Sequence, residues 1–448
     1  MSRVRLHRMH HALLILAVSA GCERSEPITA PPRVLAPHAA LGVSVIVTKT
    51  SDDGSPGTLR HSIQTATSED VIQFDPSIAG QTITLTQELV LEAVKRTIEG
   101  PVARGITINA NATGRVFFLS SGAELTLSNV TITGSRALPG IALSNSKLTL
   151  SNSTMSDNVS QFSGGAIASF ASTVTIINST ISGNHADENG GGIYTGLGST
   201  TEIIYSTISN NSAGGQGGGL WNAGFTKLRS TIIAGNTASD RIACGGEIGS
   251  SMELSGKNLS DSYYCTEDEN LVTNPRLGPL ADNGGPTKTH ALLIDSPAIN
   301  AATNCTVTED QRHIARPQPV GGACDIGAFE FTDFRRIAVT VDPSISVNPN
   351  NGIAVVTGSM TCPLPGPVTL RATVGQPQKS GRVSIEVTAS ASTVVECTGT
   401  TPWAVLLAPI NGAFTNGTGS ASVMLESTDP MTLPASLNKS VKLYWGHK

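Results

Sequence analysis

The stretch "VTIINSTISGN", residues 174–184, recurs along the chain with small changes. Related segments lie at 125–135, 148–158, 201–211 and 227–236, and their last residues follow one another at intervals of 23, 26, 27 and 25 residues. Each segment alternates apolar and polar residues over a short run, which is the period of a β-strand and not of an α-helix. A repeat of this length built from strand-like units predicts a β-solenoid.

A second, glycine-led series runs in phase with the first. Its members are "GIALSN" from Gly140, "GGAIAS" from Gly164, "GGGIYT" from Gly190 and "GGGLWN" from Gly217. Two strand-like runs per period, separated by Gly or Asn turns, describe one coil of a parallel β-helix. The fold class is therefore predicted to be all-β.

Stacking of coils places each residue above its counterpart one period earlier. The predicted inward columns are Ile141, Ile167, Ile193 and Leu220, and Ile132, Met155, Ile181, Ile208 and Ile232. A third in-phase set is Asn158, Asn184, Asn211 and Asn236. Stacked amides can hydrogen-bond from coil to coil, and Asn tolerates the left-handed conformation of a sharp corner, so this set predicts an asparagine ladder at a turn.

A short helix is predicted ahead of the coils. In "GSPGTLRHSIQTA" the residues Leu59, Ile63 and Ala66 share one helical face. Such a helix would cover the open end of the first coil, which otherwise exposes unpaired backbone and apolar side chains.

Composition agrees with this prediction and excludes one class of partner. Charged residues make up only 14% of the 448 residues and aromatic residues 4%, whereas there are 46 glycines, a profile typical of turn-rich β-structure. The formal net charge is -5 and the basic residues are scattered, so the chain lacks the basic patch of a nucleic-acid-binding protein.

The N-terminus predicts export. A basic "MSRVRLHRMHH" precedes the apolar "ALLILAV", which is too short to span a bilayer, and "SAGC" ends at Cys22. This ending resembles the lipobox of bacterial lipoproteins, which implies a signal peptide at 1–21, lipidation of Cys22, and a proline-rich tether at 22–40. The membrane is then one partner, and the location is the outer membrane or cell surface of a bacterium. The alternative is an ordinary secretory peptide with an incidental cysteine.

The other six cysteines predict disulfides in an oxidising compartment. The most local pairing is Cys244 with Cys265, Cys305 with Cys324, and Cys362 with Cys397, although six cysteines allow fifteen connectivities. There is no Cys-x-x-Cys spacing, so metal ligation is disfavoured and no metal or other cofactor is predicted.

Two segments resemble a known family. "VTKTSDDGSPGTLRHSIQTA" is similar to the start of bacterial surface proteins with a right-handed, pectin-lyase-like parallel β-helix. "NPRLGPLADNGGPTKTHALLIDSPAINA", "EDQRHIARPQ" and "CDIGAFEF", within 274–331, resemble the closing block of the choice-of-anchor Q domain; His313 and Ile314 stand where that family usually has a Gly. The resemblance implies a right-handed β-helix at 41–275, a closing block at 276–331 and surface anchoring, and it implies no reaction.

The remaining residues, 332–448, read as short alternating strands at the spacing of a β-sandwich. Cys362 and Cys397 lie on separate predicted strands and Trp403 follows them. These features predict a small immunoglobulin-like domain.

Acidic residues do not line up from coil to coil. Enzymes of the pectin-lyase-like type place acids on successive coils, but the counterparts of Asp157 are Gly183, Asn210 and Gly235. Asp187 and Glu188 form one local acidic pair, best interpreted as a solvated turn. His185 has no acid at its counterpart positions. No catalytic residue is therefore predicted.

Three residues are candidates for contact with a ligand. Trp221 follows the inward Leu220 and should point outward, either to bind a ligand or to pack against 237–270. Tyr205 and Arg229 are in phase on adjacent coils, and an exposed Tyr–Arg pair could stack on a sugar or be ordinary surface.

Polar residues elsewhere have a structural interpretation. Glu202 and Lys227 are expected to form an exposed ion pair. The closing block contains Asp310, Gln311, Arg312, Arg316 and Asp325, interpreted as a hydrogen-bonded cap on the last coil, with a binding site as the alternative.

The sequence thus favours a non-catalytic, lipid-anchored scaffold for adhesion or for binding of glycans or other surface proteins. The alternative is a polysaccharide lyase or glycoside hydrolase that uses the groove of the β-helix.

Overall fold

The computed structural model describes residues 43–240, 243–266, 271–272, 274–332, 335–362, 365–380, 383–427, 432–433 and 435–446. The signal peptide, Cys22 and the tether lie outside the described residues. The chain forms a right-handed parallel β-helix, as predicted. A full coil passes in turn through three parallel sheets, and the middle coils add a short strand in a fourth.

The strands of each sheet pair in parallel along the axis of the β-helix. Sheet A consists of Ser44–Val47, Val71–Phe74, Lys95–Glu99, Glu124–Ser128, Lys147–Ser151, Thr173–Ile177, Thr200–Ile204, Phe225–Arg229 and Ser251–Ser255. Sheet B consists of Thr82–Thr84, Ile106–Asn109, Val130–Thr133, Thr154–Ser156, Thr180–Ser182, Thr207–Ser209, Ile232–Ala234 and Leu259–Ser260. Sheet C consists of Leu89–Glu92, Phe117–Ser120, Ile141–Ser144, Ile167–Phe170, Ile193–Thr195, Leu220–Asn222 and Cys244–Gly246. Sheet D consists of Val159–Ser160, His185–Ala186, Ser212–Gln216 and Thr237–Asp240.

The core of the β-helix is built from the predicted aliphatic columns, with one correction. The first column, from Ile141 to Leu220, is in register and fully buried. In the second column Ile208 stands in register with Ile233, whereas Ile232 is in register with Thr207 and points outward. The prediction for Ile232 is wrong because counting back from Asn236 in the repeat makes Ile233 the counterpart of Ile208.

The asparagine ladder is confirmed. The Asn158 Nδ2 donates to Asn184 Oδ1 at 2.9 Å, Asn184 Nδ2 to Asn211 Oδ1 at 2.8 Å, and Asn211 Nδ2 to Asn236 Oδ1 at 3.0 Å. These amides are buried and also bond backbone groups of the preceding coil. The left-handed conformation falls one residue earlier than expected, for example at Gly183 with φ 70°. The ladder therefore bonds the inside of the corner while the preceding residue makes the turn.

The predicted capping helix spans Leu59–Thr65 and buries Leu59, Ile63 and Ala66. Arg60 fastens it to the first coil through a bidentate pair with the buried Asp52, at 2.9 and 2.7 Å. Asp52 also accepts the Thr86 N–H at 2.7 Å. Burial would raise the pKa of Asp52, but the hydrogen bonds from Arg60 and Thr86 hold it below its usual value. A 3-10 turn, Pro76–Ile78, follows further along.

The closing block covers the side of the β-helix, not its end. Apart from the hairpin Leu277–Ala281 and Thr289–Leu292, it is irregular and lies over the outer face of sheet B. Outward threonines of successive coils hold it: Thr154 Oγ1 donates to Lys288 O at 2.6 Å, and Thr180 Oγ1 to Gln311 Oε1 at 2.7 Å. The prediction that the closing block caps the last coil is wrong as to its position. The outward threonines form a row of hydroxyls along the side of the β-helix, and the closing block binds there.

The polar residues of the closing block form a buried network. Arg316 Nη1 bonds Glu330 Oε2 at 2.8 Å and the backbone O of Asp325 at 2.9 Å, and Arg312 Nη2 bonds Asp310 Oδ2 at 2.7 Å. Burial, together with the charge of Glu330, raises the pKa of Asp325 to about 7. The hydrogen-bonded interpretation of these residues agrees with their contacts.

His290 joins the closing block to sheet B. Its Nδ1 lies 2.7 Å from the backbone O of Gly278 and can only donate to it, so the neutral ring accepts the Ser182 O–H at Nε2, over 2.8 Å. Burial lowers the pKa of His290 below its usual value of 6.5. The contact therefore requires the neutral form of the ring.

Acid is expected to weaken this contact. The unfolded chain binds a proton at His290 more readily than the folded chain, so the stability contributed by the neutral ring is lost as pH falls through about 6.5. Asp325 acts oppositely, because its raised pKa favours the folded state as pH falls. The difference in unfolding free energy between wild type and His290→Gln should therefore shrink by about 1 kcal/mol or more between pH 7.5 and 5 in urea titrations. A difference that does not change with pH would contradict this assignment.

The C-terminal residues form the predicted β-sandwich, with its own hydrophobic core. Its strands are Arg335–Arg336, Ala338–Val341, Ser344–Val347, Ala354–Thr361, Gly366–Ser380, Val383–Cys397, Thr400–Leu407, Gly417–Ser427, Thr432–Leu433 and Ala435–Trp445. Trp403 is buried in this core, and a Cβ at Gly358 would lie 2.5 Å from its ring. Glycine is therefore needed where the strand passes the indole.

The three local disulfides are confirmed. Their Cα–Cα distances are 5.9 Å for Cys244–Cys265, 5.5 Å for Cys305–Cys324 and 6.1 Å for Cys362–Cys397. Such bonds indicate an extracytoplasmic location. Within the described residues, no helix is long and apolar enough to cross a membrane.

Candidate functional site

The outer face of sheet C carries an ordered set of aromatic and hydroxyl side chains, here called the aromatic face. Its first outward column, in register, is Val90, Phe118, Ala142, Ala168, Tyr194 and Trp221. Its second outward column is Glu92, Ser120, Ser144 and Phe170. Neighbouring strands lie ~4.8 Å apart, so the first column extends about 24 Å along the axis of the β-helix.

Two rings of the aromatic face form a pair. The centroids of Phe170 and Tyr194 are 5.5 Å apart with their planes tilted by 44°, and 49% of Phe170 is exposed. A Cβ at Gly196 would lie 2.8 Å from the Phe170 ring and 3.0 Å from the Tyr194 ring. Glycine at this position therefore allows the two rings to lie side by side.

A third ring, Phe118, lies two coils before Phe170 and three coils before Tyr194. Phe118 carries the guanidinium of Arg115 4.4 Å above its centroid, and Arg115 Nε bonds Glu88 Oε2 at 2.5 Å. Between Phe118 and Tyr194 the column holds only the small side chains of Ala142 and Ala168. The column is therefore low between its aromatic ends, although Ala168 is buried and only Ala142 is partly exposed. The row of serine hydroxyls beside it consists of Ser120 and Ser144.

Sequence analysis did not predict Phe170 and Tyr194 as ligand-contact residues, although the alternation of the strands indicates their outward position. Tyr194 follows the inward Ile193, as Trp221 follows the inward Leu220. Phe170 lies three residues after the inward Ile167. Strand alternation therefore places Tyr194, Trp221 and Phe170 on one outer face.

Trp221 lies on the outer face, as predicted, but is only 5% exposed. It stands next to Tyr194 in the column. A ligand on the aromatic face would meet Tyr194 and Phe170 before Trp221. Contact between Trp221 and a ligand stays a prediction.

The expected exposed pair of Tyr205 and Arg229 is wrong on two counts, because Arg229 is in register with Ile204 and Tyr205 is buried. That ring is fully buried under the closing block, its hydroxyl donates to Asn304 O, and the guanidinium of Arg316 lies 4.8 Å from its centroid. Burial raises the pKa of Tyr205. Arg229 stays half-buried at the end of a sheet A strand. The closing block covers the corner between sheets A and B, which the repeat alone does not reveal.

Lys227 has a different partner from the one expected. It bonds Glu253 of the following coil at 3.2 Å. Glu202 and Glu253 flank Lys227 in register on either side, so stacking alone did not distinguish them.

His185 does have an acid beside it, contrary to expectation. Its Nε2 lies 3.1 Å from Asp187 Oδ1, and its Nδ1 lies 2.7 Å from Ser212 Oγ. Asp187 is two residues after His185 in the same coil, so a comparison of equivalent positions in other coils does not reveal it. The residue types match those of a nucleophilic triad, but the backbone N–H of Ser212 itself donates to Asn184 O at 2.9 Å. That N–H is therefore not available as an oxyanion donor.

Carboxylates border the aromatic face. Glu188 lies at the turn from sheet D to sheet C and accepts a hydrogen bond from Ser163 Oγ at 2.9 Å, and Glu247 follows the last strand of sheet C. Burial raises the pKa of Tyr194, and the negative charges of Glu247 and Glu188 raise it further. Among the described residues no group of three or more His, Cys, Asp or Glu side chains is arranged to hold a metal ion.

A comparison with protein-family models supports the fold. A family model described as a right-handed β-helix region matches residues 97–259. No curated protein sequence matches the chain. Among solved structures, pectate lyase Pel9A is similar with a TM-score of 0.34 and 14% identity, over 64% of this chain and 96% of that one. The tailspike protein of Acinetobacter phage vB_ApiP_P1 is similar with a TM-score of 0.23 and 11% identity, over 91% and 89%.

Proposed function

We propose that this chain is an exported scaffold, held at the cell surface, that binds glycans through its aromatic face. The observation that carries the proposal is the ring pair of the exposed Phe170 and the half-buried Tyr194, beside the row of serine hydroxyls. A sugar ring has an apolar face that packs on an aromatic ring, and a rim of hydroxyls that need hydrogen-bond partners. The aromatic face offers both within one sheet.

The arrangement also suits a chain-like ligand. The in-register column keeps a constant direction along the β-helix, and the small Ala142 side chain lies between Phe118 and the Phe170–Tyr194 pair. Rings at both ends of one line can therefore contact an extended polymer. Sheet B is not available for this purpose, because the closing block covers its outer face. The aromatic face, unlike the outer face of sheet B, therefore remains accessible to a glycan.

Truncation of Tyr194 tests the proposal. A ring contact worth about 1.4 kcal/mol corresponds to about a tenfold loss of affinity, so Tyr194→Ala should weaken glycan binding by about that factor. The measurement is calorimetric titration with oligosaccharides selected on a glycan array. Tyr263→Ala is the matched control, because Tyr263 is 67% exposed and follows the last strand of sheet B, outside the columns of the aromatic face. Equal affinities of the two variants would refute the aromatic face as the site. Shorter products after incubation with the same glycans would favour the alternative of a lyase or hydrolase.

Attachment to the membrane through a lipid on Cys22 is part of the proposal. The small residues before Cys22 and the proline-rich tether after it support this, and the disulfides agree with export. Cys22→Ser should release the protein from the membrane fraction into the soluble fraction of cells, as followed by immunoblotting. Cys22→Ser protein that stays with the membrane would show that another feature anchors it.

A further inference from the structure

The charges around the aromatic face are predominantly negative. Glu92 belongs to the second outward column, Glu188 lies at the turn that leads into the Tyr194 strand, and Glu247 lies beyond Trp221. All three are exposed, and in the described part of the chain none of them is in an ion pair.

Two cations of the aromatic face are paired, whereas Lys95 and Arg136 are exposed and, among the described residues, in no ion pair. Arg115, over the Phe118 ring, bonds Glu88 at 2.5 Å. Lys147, at the edge towards sheet A, bonds Glu124 at 2.7 Å. A polyanion over the Phe170–Tyr194 pair would therefore meet the unpaired carboxylates of Glu188 and Glu247, because Lys95 and Arg136 belong to earlier coils.

The charges of Glu188 and Glu247 reach the ring that the ligand would contact. Both disfavour the ionised form of the Tyr194 hydroxyl, in addition to the effect of burial. The Ser163 hydrogen bond holds the carboxylate of Glu188 in place. A cationic group over the Phe170–Tyr194 pair would gain attraction both from the ring faces and from these carboxylates.

From this charge pattern, and resting on the proposed function, we infer that the aromatic face selects a linear glycan of amino sugars with free, protonated amines and rejects polyuronates. The pyranose faces stack on Phe170 and Tyr194, the serine row binds hydroxyls, and Glu188 and Glu247 attract the ammonium groups. The direction of the in-register column places the glycan along the axis of the β-helix.

Three hexasaccharides of the same length separate the possibilities: β-linked glucosamine, its N-acetylated counterpart, and galacturonate. Affinities are measured by calorimetry at pH 5.5 with the full chain, in low and high salt. The glucosamine hexamer should bind most tightly and weaken with salt, because its attraction to exposed carboxylates is screened. Glu188→Gln combined with Glu247→Gln should weaken the glucosamine hexamer about fivefold, in line with exposed ion pairs, and leave the N-acetylated hexamer unchanged.

Each outcome is decisive. Tighter binding of the galacturonate hexamer, lost in Tyr194→Ala, would overturn the amino-sugar inference while keeping the aromatic face as a glycan site. Equal binding of the glucosamine and N-acetylated hexamers would also overturn the inference. Binding of the hexamers that is unchanged in Tyr194→Ala would overturn the proposed site and the inference together. Circular dichroism of each variant verifies that the β-helix stays folded.

Discussion

Ile193→Asp is expected to unfold the middle coils of the β-helix. Ile193 is fully buried and stands between Ile167 and Leu220 in the inward column. A carboxylate there would have no partner in the core, and an isolated buried charge costs several kcal/mol, a large part of the roughly 5–15 kcal/mol that stabilises a typical domain. Chemical unfolding and limited proteolysis should show loss of cooperative folding in the β-helix.

Two control variants distinguish the effect of the introduced charge from the effect of changing residue 193. Leu197→Asp places the same side chain at a site that is 70% exposed in the next turn and should change the unfolding free energy by no more than about 0.5 kcal/mol. Ile193→Val keeps an apolar residue and should cost about 1 kcal/mol. If Ile193→Asp were as stable as Leu197→Asp, position 193 would not face the core.

Arg60→Ala is expected to detach the capping helix from the first coil. Its guanidinium makes a bidentate pair with Asp52 and also donates to the backbone O atoms of Gln87 and Glu88. Removal of one partner of a buried pair leaves the other charge unpaired, at a cost of about 3–5 kcal/mol. Hydrogen exchange should show the largest loss of protection at Ser44–Val47 and in the capping helix. In the wild type, local opening of this region has to break the Arg60–Asp52 pair, and in the variant it does not.

Lys147→Ala is the matched control for this ion pair. Lys147 and Glu124 are also 2.7 Å apart, but both side chains are exposed. Exposed pairs contribute about 0–1 kcal/mol, so this variant should remain close to wild type. A similar loss of stability in both variants would show that burial of the Arg60–Asp52 pair has no special effect.

Strand alternation and stacking explain what could be predicted from the residues. The inward column through Ile193, the asparagine ladder and the helix at Leu59–Thr65 each depend on neighbours in the sequence or on a fixed repeat. The error at Ile232 came from a shift of one residue, which moves a side chain to the opposite face of a strand.

The candidate site was less predictable, because its residues come together through contacts between coils and because their exposure depends on which segments pack over them. Phe170 and Tyr194 belong to different outward columns, and their pairing depends on the space left by Gly196. His185 and Asp187 meet only because both project on the solvent side of the same short run. A comparison of residues at equivalent positions in successive coils therefore predicts neither contact.

By itself, the sequence determined the β-helix, its core columns, its capping helix and the disulfide-bonded sandwich, because their signals are local or periodic. Only the tertiary structure decided that the closing block lies along sheet B. The threonines that hold it, such as Thr154 and Thr180, look like any outward residues of a strand until a distant segment packs on them. That packing buries Tyr205 and leaves the outer face of sheet C open, because burial depends on contacts between segments more than a hundred residues apart, such as Thr180 and Gln311.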